Sequence, residues 1–184
     1  MNLTLIPNDN LNFDIECTSA SSKEAYKDSP LLPLVHMSGA QKGNWGRDLV
    51  IKCLEWHGLT ALKRSDQGDI TVDSTSSIIE AKLSLQGVGG KIWWNQISLA
   101  QTKWTDLALV ECLPHNIRIF MLERNDCIQM INDESCLCGA GHYNRADVHT
   151  LMQIYYHLHH SYKVDELLKY STLLLDCDPA LIVK

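Results

Sequence analysis

The chain lacks the features that would set it apart from ordinary globular proteins. No stretch of its 184 residues approaches the ~20 consecutive apolar residues that span a bilayer, so no membrane association is expected. Residues 1–13 have neither a basic start nor a long apolar run, so no secretory signal is expected. There is no internal repeat and no low-complexity tract. The seven cysteines, at positions 17, 53, 112, 127, 136, 138 and 177, are odd in number and irregularly spaced, which is not a disulfide framework. Together these absences lead us to expect a cytoplasmic protein with reduced thiols. Positive charge is also scarce: 16 Lys and Arg stand against 22 Asp and Glu, for a net charge of -6. That balance counts against indiscriminate binding to a polyanion.

The remaining composition is that of a globular domain, 45% hydrophobic and 21% charged, long enough to bury a core without staples. Charge is unevenly spread. Residues 42–103 carry eight Lys and Arg against six Asp and Glu, while residues 1–41 carry -3 and residues 104–184 carry -5. The middle third is the least acidic part of the chain and holds the residues of greatest chemical interest.

The pattern of apolar residues predicts an α/β protein, a mixed central β-sheet flanked by helices. Residues 1–41 form a poorly patterned arm, with a possible short strand at 3–6 and a turn at 29–33. Residues 46–58 space Leu49, Val50, Cys53 and Leu54 as a helix does, and Gly58 is a suitable stop. Residues 69–72 and 77–83 are β-branched runs separated by a turn at 73–76, which predicts a hairpin. After a Gly-rich loop at 87–90, a helix is expected at 93–103, then strands at 107–113 and 117–122 joined by a turn at 114–116. Residues 127–144 read as irregular, and residues 145–162 and 164–175 as C-terminal helices. The domain reading is an N-terminal arm (1–41), a core (42–125) and a loop with a C-terminal helical region (126–184).

The hairpin carries the chemistry. Alternation along its second strand puts Glu80 and Lys82 on one face and Ile79 and Ala81 on the other. The partner strand can bring Asp69 beside Glu80. Two carboxylates and an ammonium converging at one place are costly to bury unless something binds them, and a magnesium ion with its hard oxygen ligands would do so. The bland alternative is an exposed strand with an ordinary charge pair.

This ordered set resembles the PD-(D/E)xK nuclease superfamily, which includes restriction endonucleases and archaeal-type Holliday junction resolvases. The core of that family is a helix, a three-stranded meander, a helix and a strand. Asp69 matches the first acid, Glu80 the second and Lys82 the lysine; Gly68 stands where the family usually has Pro. The start of the preceding helix, around Lys42 to Val50, resembles the family's first helix, with Asp48 in place of the usual Glu. Gln96 fits the Gln often found on the following helix, with Gln101 in reserve. The resemblance covers residues 42–122. It implies a restriction-endonuclease-like core and magnesium-dependent hydrolysis of DNA phosphodiesters, with manganese as a substitute ion. Asp69, Glu80, the Ala81 carbonyl and Asp48 would be metal ligands. Lys82 would hold or deprotonate the attacking water, and Gln96 would orient it or touch the DNA backbone. The alternative keeps the same fold as a non-catalytic nucleic-acid or protein-binding module.

Other residues invite functional readings. Among the basic residues Lys42 and Lys91, beside glycines, are the expected phosphate contacts; Arg47, Lys52 and Lys103 read as solvated. Of the adjacent pair Trp93 and Trp94, one is expected in the core and one exposed. Cys127, Cys136, Cys138 and His142 could supply zinc ligands, but Cys-x-Cys is an unusual spacing and we read them as free cysteines in a loop. His157, His159 and His160 fall in the expected C-terminal helix, whose stripe of Leu151, Ile154, Tyr155 and Leu158 suits packing on the core or on a second copy. A homodimer through the C-terminal helices is therefore an expected partner arrangement, since cutting both strands of a duplex calls for two sites.

Overall fold

The structure, a computed structural model, describes residues 20–64, 69–87, 90, 92–98, 104–132, 155–160 and 164–183. Short helices α1 (Ala20–Ala25) and α2 (Leu32–His36) lead into the long α3 (Gly39–Trp56). A meander of β1 (Ala61–Lys63), β2 (Ile70–Val72) and β3 (Ser77–Leu85) follows, then β4 (Ile92–Ser98), β5 (Asp106–Leu113) and β6 (Asn116–Glu123). Helix α4 (Arg124–Asn132), β7 (Tyr155–His160), α5 (Val164–Leu167) and β8 (Thr172–Cys177) complete the order, before a 3-10 turn at Pro179–Leu181. The main sheet has six strands in the order β1-β2-β3-β5-β6-β8, and β4 pairs with β7 in a separate two-stranded sheet. Only the β3–β5 pair of the main sheet is parallel, so the protein is α/β with a mixed sheet.

Side-chain alternation assigns each residue of the sheet to one of two cores. Ile70, Val72, Ile79, Ala108, Val110, Cys112, Ile117 and Ile119 pack with α2 and α3 on one side. Leu107, Leu109, Phe120 and Leu122 pack with Ile92, Trp94, Ile97 and Trp104 on the other. Strand β5 is buried along nearly its whole length because both faces are covered, which explains its unbroken apolar run.

Helix α3 begins seven residues before the position the apolar spacing predicts. Its start is a capping box: Gln41 N donates to Ser38 Oγ at 3.3 Å and Ser38 N to Gln41 Oε1 at 2.9 Å. Gly43 and Gly46 lower helix propensity there and hide the start. Gly46 is required by packing, since a Cβ built on it would lie 2.9 Å from Leu83 Cβ. The helix ends as expected, with Gly58 at φ +81°. The described part of the N-terminal arm is docked: Tyr26, Leu31, Leu34 and Val35 lie in the first core. Tyr26 Oη donates to the Cys112 carbonyl and accepts from Gln86 N at 2.8 Å, joining the arm to β5 and to the end of β3. The possible strand at 3–6 lies outside the described residues.

The hairpin of β2 and β3 and the strands β5 and β6 stand where the sequence predicts them. Several other expectations are corrected. Residues 92–98 form β4, not the helix expected at 93–103, of which 99–103 lie outside the described residues. A bulge between Trp94 and Ile97 puts two buried residues three apart, which imitates helical spacing. Arg124–Asn132 is helix α4, although residues from 127 read as irregular. Residues 155–160 form β7 rather than helix, because β4 offers them a partner strand. Of the helix expected at 164–175, only Val164–Leu167 is helical; Thr172–Cys177 is β8, added to the edge of β6. Among the described residues of the C-terminal helices expected to carry a dimer interface, 155–160 and 172–175 are strand and only 164–167 are helix.

Candidate active site

Glu80, Ala81 and Lys82 lie on β3, and Asp69 stands just ahead of β2, the strand paired with it. Ile70 pairs with Ile79 in the last rung between β2 and β3, and Asp69 immediately precedes that rung. Asp69 N donates to the Ile79 carbonyl at 2.8 Å, and Asp69 Oδ2 accepts from Ala81 N at 2.9 Å. The first acid is thereby fastened to the middle residue of the Glu-x-Lys triplet. Lys82 Nζ lies 2.7 Å from Glu80 Oε1, with both side chains about four-fifths buried (21% and 22% exposed). The contact follows from alternation, which puts residues 80 and 82 on one face of β3.

Main-chain geometry adds an oxygen. The N–H and C=O of one strand residue point to the same side. Ala81 N–H is directed toward Asp69, so the Ala81 carbonyl opens on the β2 side, past the last β2–β3 rung. Two carboxylates and a carbonyl are hard oxygen donors suited to magnesium, which commonly uses one or two carboxylates and completes its shell with water and phosphate. The donor chemistry therefore fits the ion. Among the described residues, no group of three or more His, Cys, Asp or Glu side chains is placed to hold a metal.

Asp48 is engaged by a lysine. Its Oδ1 lies 2.8 Å from Lys63 Nζ on β1, and both side chains are about half exposed. Arg47, the residue before it, reaches the site: Arg47 Nη1 lies 3.5 Å from Asp69 Oδ1. Sequence spacing could not nominate Arg47, because a helix and a strand 22 positions away meet only through tertiary packing.

The remaining expectations divide. Lys42 lies in the first turns of α3, where burial lowers its pKa. Gln96 is on strand β4 rather than a helix, and its side chain lies outside the described residues, as do Lys91 and Gln101. Trp94 is buried and donates from Nε1 to the Val110 carbonyl at 3.0 Å, while Trp93 is 40% exposed, so one of the pair is core and one is not. Cys127 is fully buried in α4 and burial pushes its thiol up to about 12. Cys136, Cys138 and His142 lie outside the described residues, as do the side chains of His157, His159 and His160. No helix among the described residues is long and apolar enough to cross a membrane. Comparison with protein-family models, with curated proteins and with solved structures finds no match to this chain.

Proposed function

We propose that this chain is a divalent-metal-dependent DNA endonuclease with a restriction-endonuclease-like core and a site built on Asp69, Glu80, Ala81 and Lys82. The observation that carries the reading is the Asp69 Oδ2–Ala81 N hydrogen bond beside the Glu80–Lys82 ion pair, which gathers the motif's two acids and its lysine around one hairpin. The order of α3, the β1–β2–β3 meander and a strand parallel to β3 also supports it. The crossover departs from the family pattern, since β4 stands where a helix is expected.

Asp69, Glu80 and the Ala81 carbonyl would hold the ion. When bound, it supplies Lewis-acid stabilisation of the charge that builds on the phosphate. Lys82 has two tasks within reach of Glu80. Its ammonium offsets charge on the phosphate oxygens, and its proton exchange assists the attacking water. Ile79, Leu83 and the first core fix the strand from behind, so these side chains are held on a rigid element.

Magnesium-dependent nicking of supercoiled plasmid by the purified chain, set against Glu80→Gln, tests the reading. Nicking by the wild type and none by the variant is expected. DNA binding without nicking in either protein would replace this proposal with that of a non-catalytic binding module.

A further inference from the structure

Each acid of the resemblance is already paired with a basic side chain: Asp69 with Arg47 at 3.5 Å, Glu80 with Lys82 at 2.7 Å and Asp48 with Lys63 at 2.8 Å. The Arg47 pair differs from the other two. At 3.5 Å it is too long for a well-made hydrogen bond. The guanidinium is steadied from the opposite side by Nη2 donating to Asn44 Oδ1 at 2.7 Å, one helical turn back. Its Nε is buried and has no hydrogen-bond partner among the described residues. Arg47 thus fronts Asp69 loosely and keeps a donor unused.

We propose that Arg47 couples ion binding to phosphodiester binding: it occupies Asp69 Oδ1 when no ion is present and turns to a substrate phosphate when a divalent ion takes that oxygen. This rests on the reading of Asp69, Glu80 and Lys82 as an ion-binding hydrolytic site. Two charge balances support it. Asp69 Oδ2 already accepts from Ala81 N, which leaves Oδ1 as the less engaged oxygen, and an ion that takes Oδ1 competes with Arg47 for it. A displaced guanidinium regains a partner if a phosphate is present, because its planar fork matches phosphate oxygens two at a time and would engage the unused Nε–H. Ion and phosphodiester then favour each other, and by linkage the coupling is reciprocal. Lys82 cannot take this part, since it shares a strand with Glu80 and stays beside it.

The test measures binding rather than turnover. Free Mn2+ is followed by electron paramagnetic resonance, and affinity for a fluorescein-labelled phosphorothioate DNA duplex by anisotropy with and without Mn2+. In wild type, Mn2+ should tighten DNA binding roughly tenfold, within the usual range of coupling between two sites. Arg47→Gln should bind Mn2+ alone more tightly, by roughly threefold or more, and lose most of the tightening of DNA. Asn44→Ala, at an exposed helix position where folding is not at risk, should shift both quantities the same way but less. Arg47→Lys keeps the charge without the fork, so Mn2+ affinity should stay near wild type while the gain in DNA affinity falls. Unchanged Mn2+ affinity and unchanged coupling in Arg47→Gln and Asn44→Ala overturn the inference alone, provided Glu80→Gln weakens Mn2+ binding. Equal Mn2+ binding by wild type and Glu80→Gln, or none by either, removes the site reading and the coupling with it.

Discussion

The carboxylate of Asp69 and the main-chain N–H of Ala81 are joined by a hydrogen bond of 2.9 Å across the β2–β3 hairpin. One residue thus closes the open end of β2 and ties its carboxylate to the strand that carries Glu80. The two roles separate by substitution. Asp69→Ala should lose about 1 kcal/mol of stability, the usual net worth of one such bond, together with plasmid nicking. Asp69→Asn keeps an acceptor oxygen and should retain most of the stability while still losing nicking. Urea unfolding midpoints and nicking assays on both variants check this. An active Asp69→Asn would show that the charge is not required.

The contact of Gly46 with Leu83 predicts opposite signs for two glycines of one helix. Gly46→Ala would set a methyl 2.9 Å from Leu83 Cβ, and overpacking of this kind costs about 1–3 kcal/mol. A Cβ at Gly43 meets nothing within 4 Å, so Gly43→Ala should stabilise the protein by about 0.5–1 kcal/mol through helix propensity. Thermal unfolding of the two variants decides it. Leu83→Ala removes the Cδ1 contact at 3.0 Å but keeps the Cβ contact at 2.9 Å, so it should recover only part of the loss in the Gly46→Ala background.

Glu111 is a charged residue buried in the sheet, only 1% exposed. Its cross-strand neighbour Arg118 lies 3.5 Å from Glu111 and 3.4 Å from Asp176 on β8. Arg118→Met removes the neutralising cation from a buried carboxylate and should cost about 3 kcal/mol. Asp176→Asn, at an exposed position, should cost under about 1 kcal/mol. Equal losses in the two variants would mean that burial of Glu111 does not set the scale.

Burial raises four thiols above their ordinary value, with Cys53 and Cys177 pushed up to about 11 and Cys127 to about 12, and Cys112 higher still. A raised folded-state pKa favours the neutral thiol, so this stability is fully present below the unfolded value near 9 and is lost as pH rises toward the folded one. Urea midpoints should hold to about pH 9 and fall above it, by up to about 1.4 kcal/mol per pH unit for each of the deeply buried thiols Cys112 and Cys127, and by less for Cys53 and Cys177, which solvent screens. Cys127→Ala should make that fall shallower. An unchanged slope in this variant would show that Cys127 does not contribute.

How much was legible beforehand differs from element to element. The β2–β3 hairpin and the β5–β6 pair are readable because β-branched and apolar runs are interrupted by turn residues, and local chemistry dictates both. Ser38 and Gln41 carried a readable helix start, outweighed by the two glycines that follow. The Trp93–Ile97 stretch misleads because its bulge breaks the two-residue alternation. Residues 155–160 and 172–177 mislead because their strand state depends on partners, β4 and β6, distant in the chain.

Within the candidate site the same division holds. Glu80 and Lys82 on one face of one strand, and Asp69 within reach across a short turn, follow from the amino-acid order alone, since strand alternation and hairpin register are local rules. The pairing of Arg47 with Asp69, that of Asp48 with Lys63 and the strand beneath Gln96 were decided only when α3 and β4 packed on the sheet. Contacts between distant segments depend on how helices and strands seat against one another, and close packing selects that arrangement for the whole molecule at once.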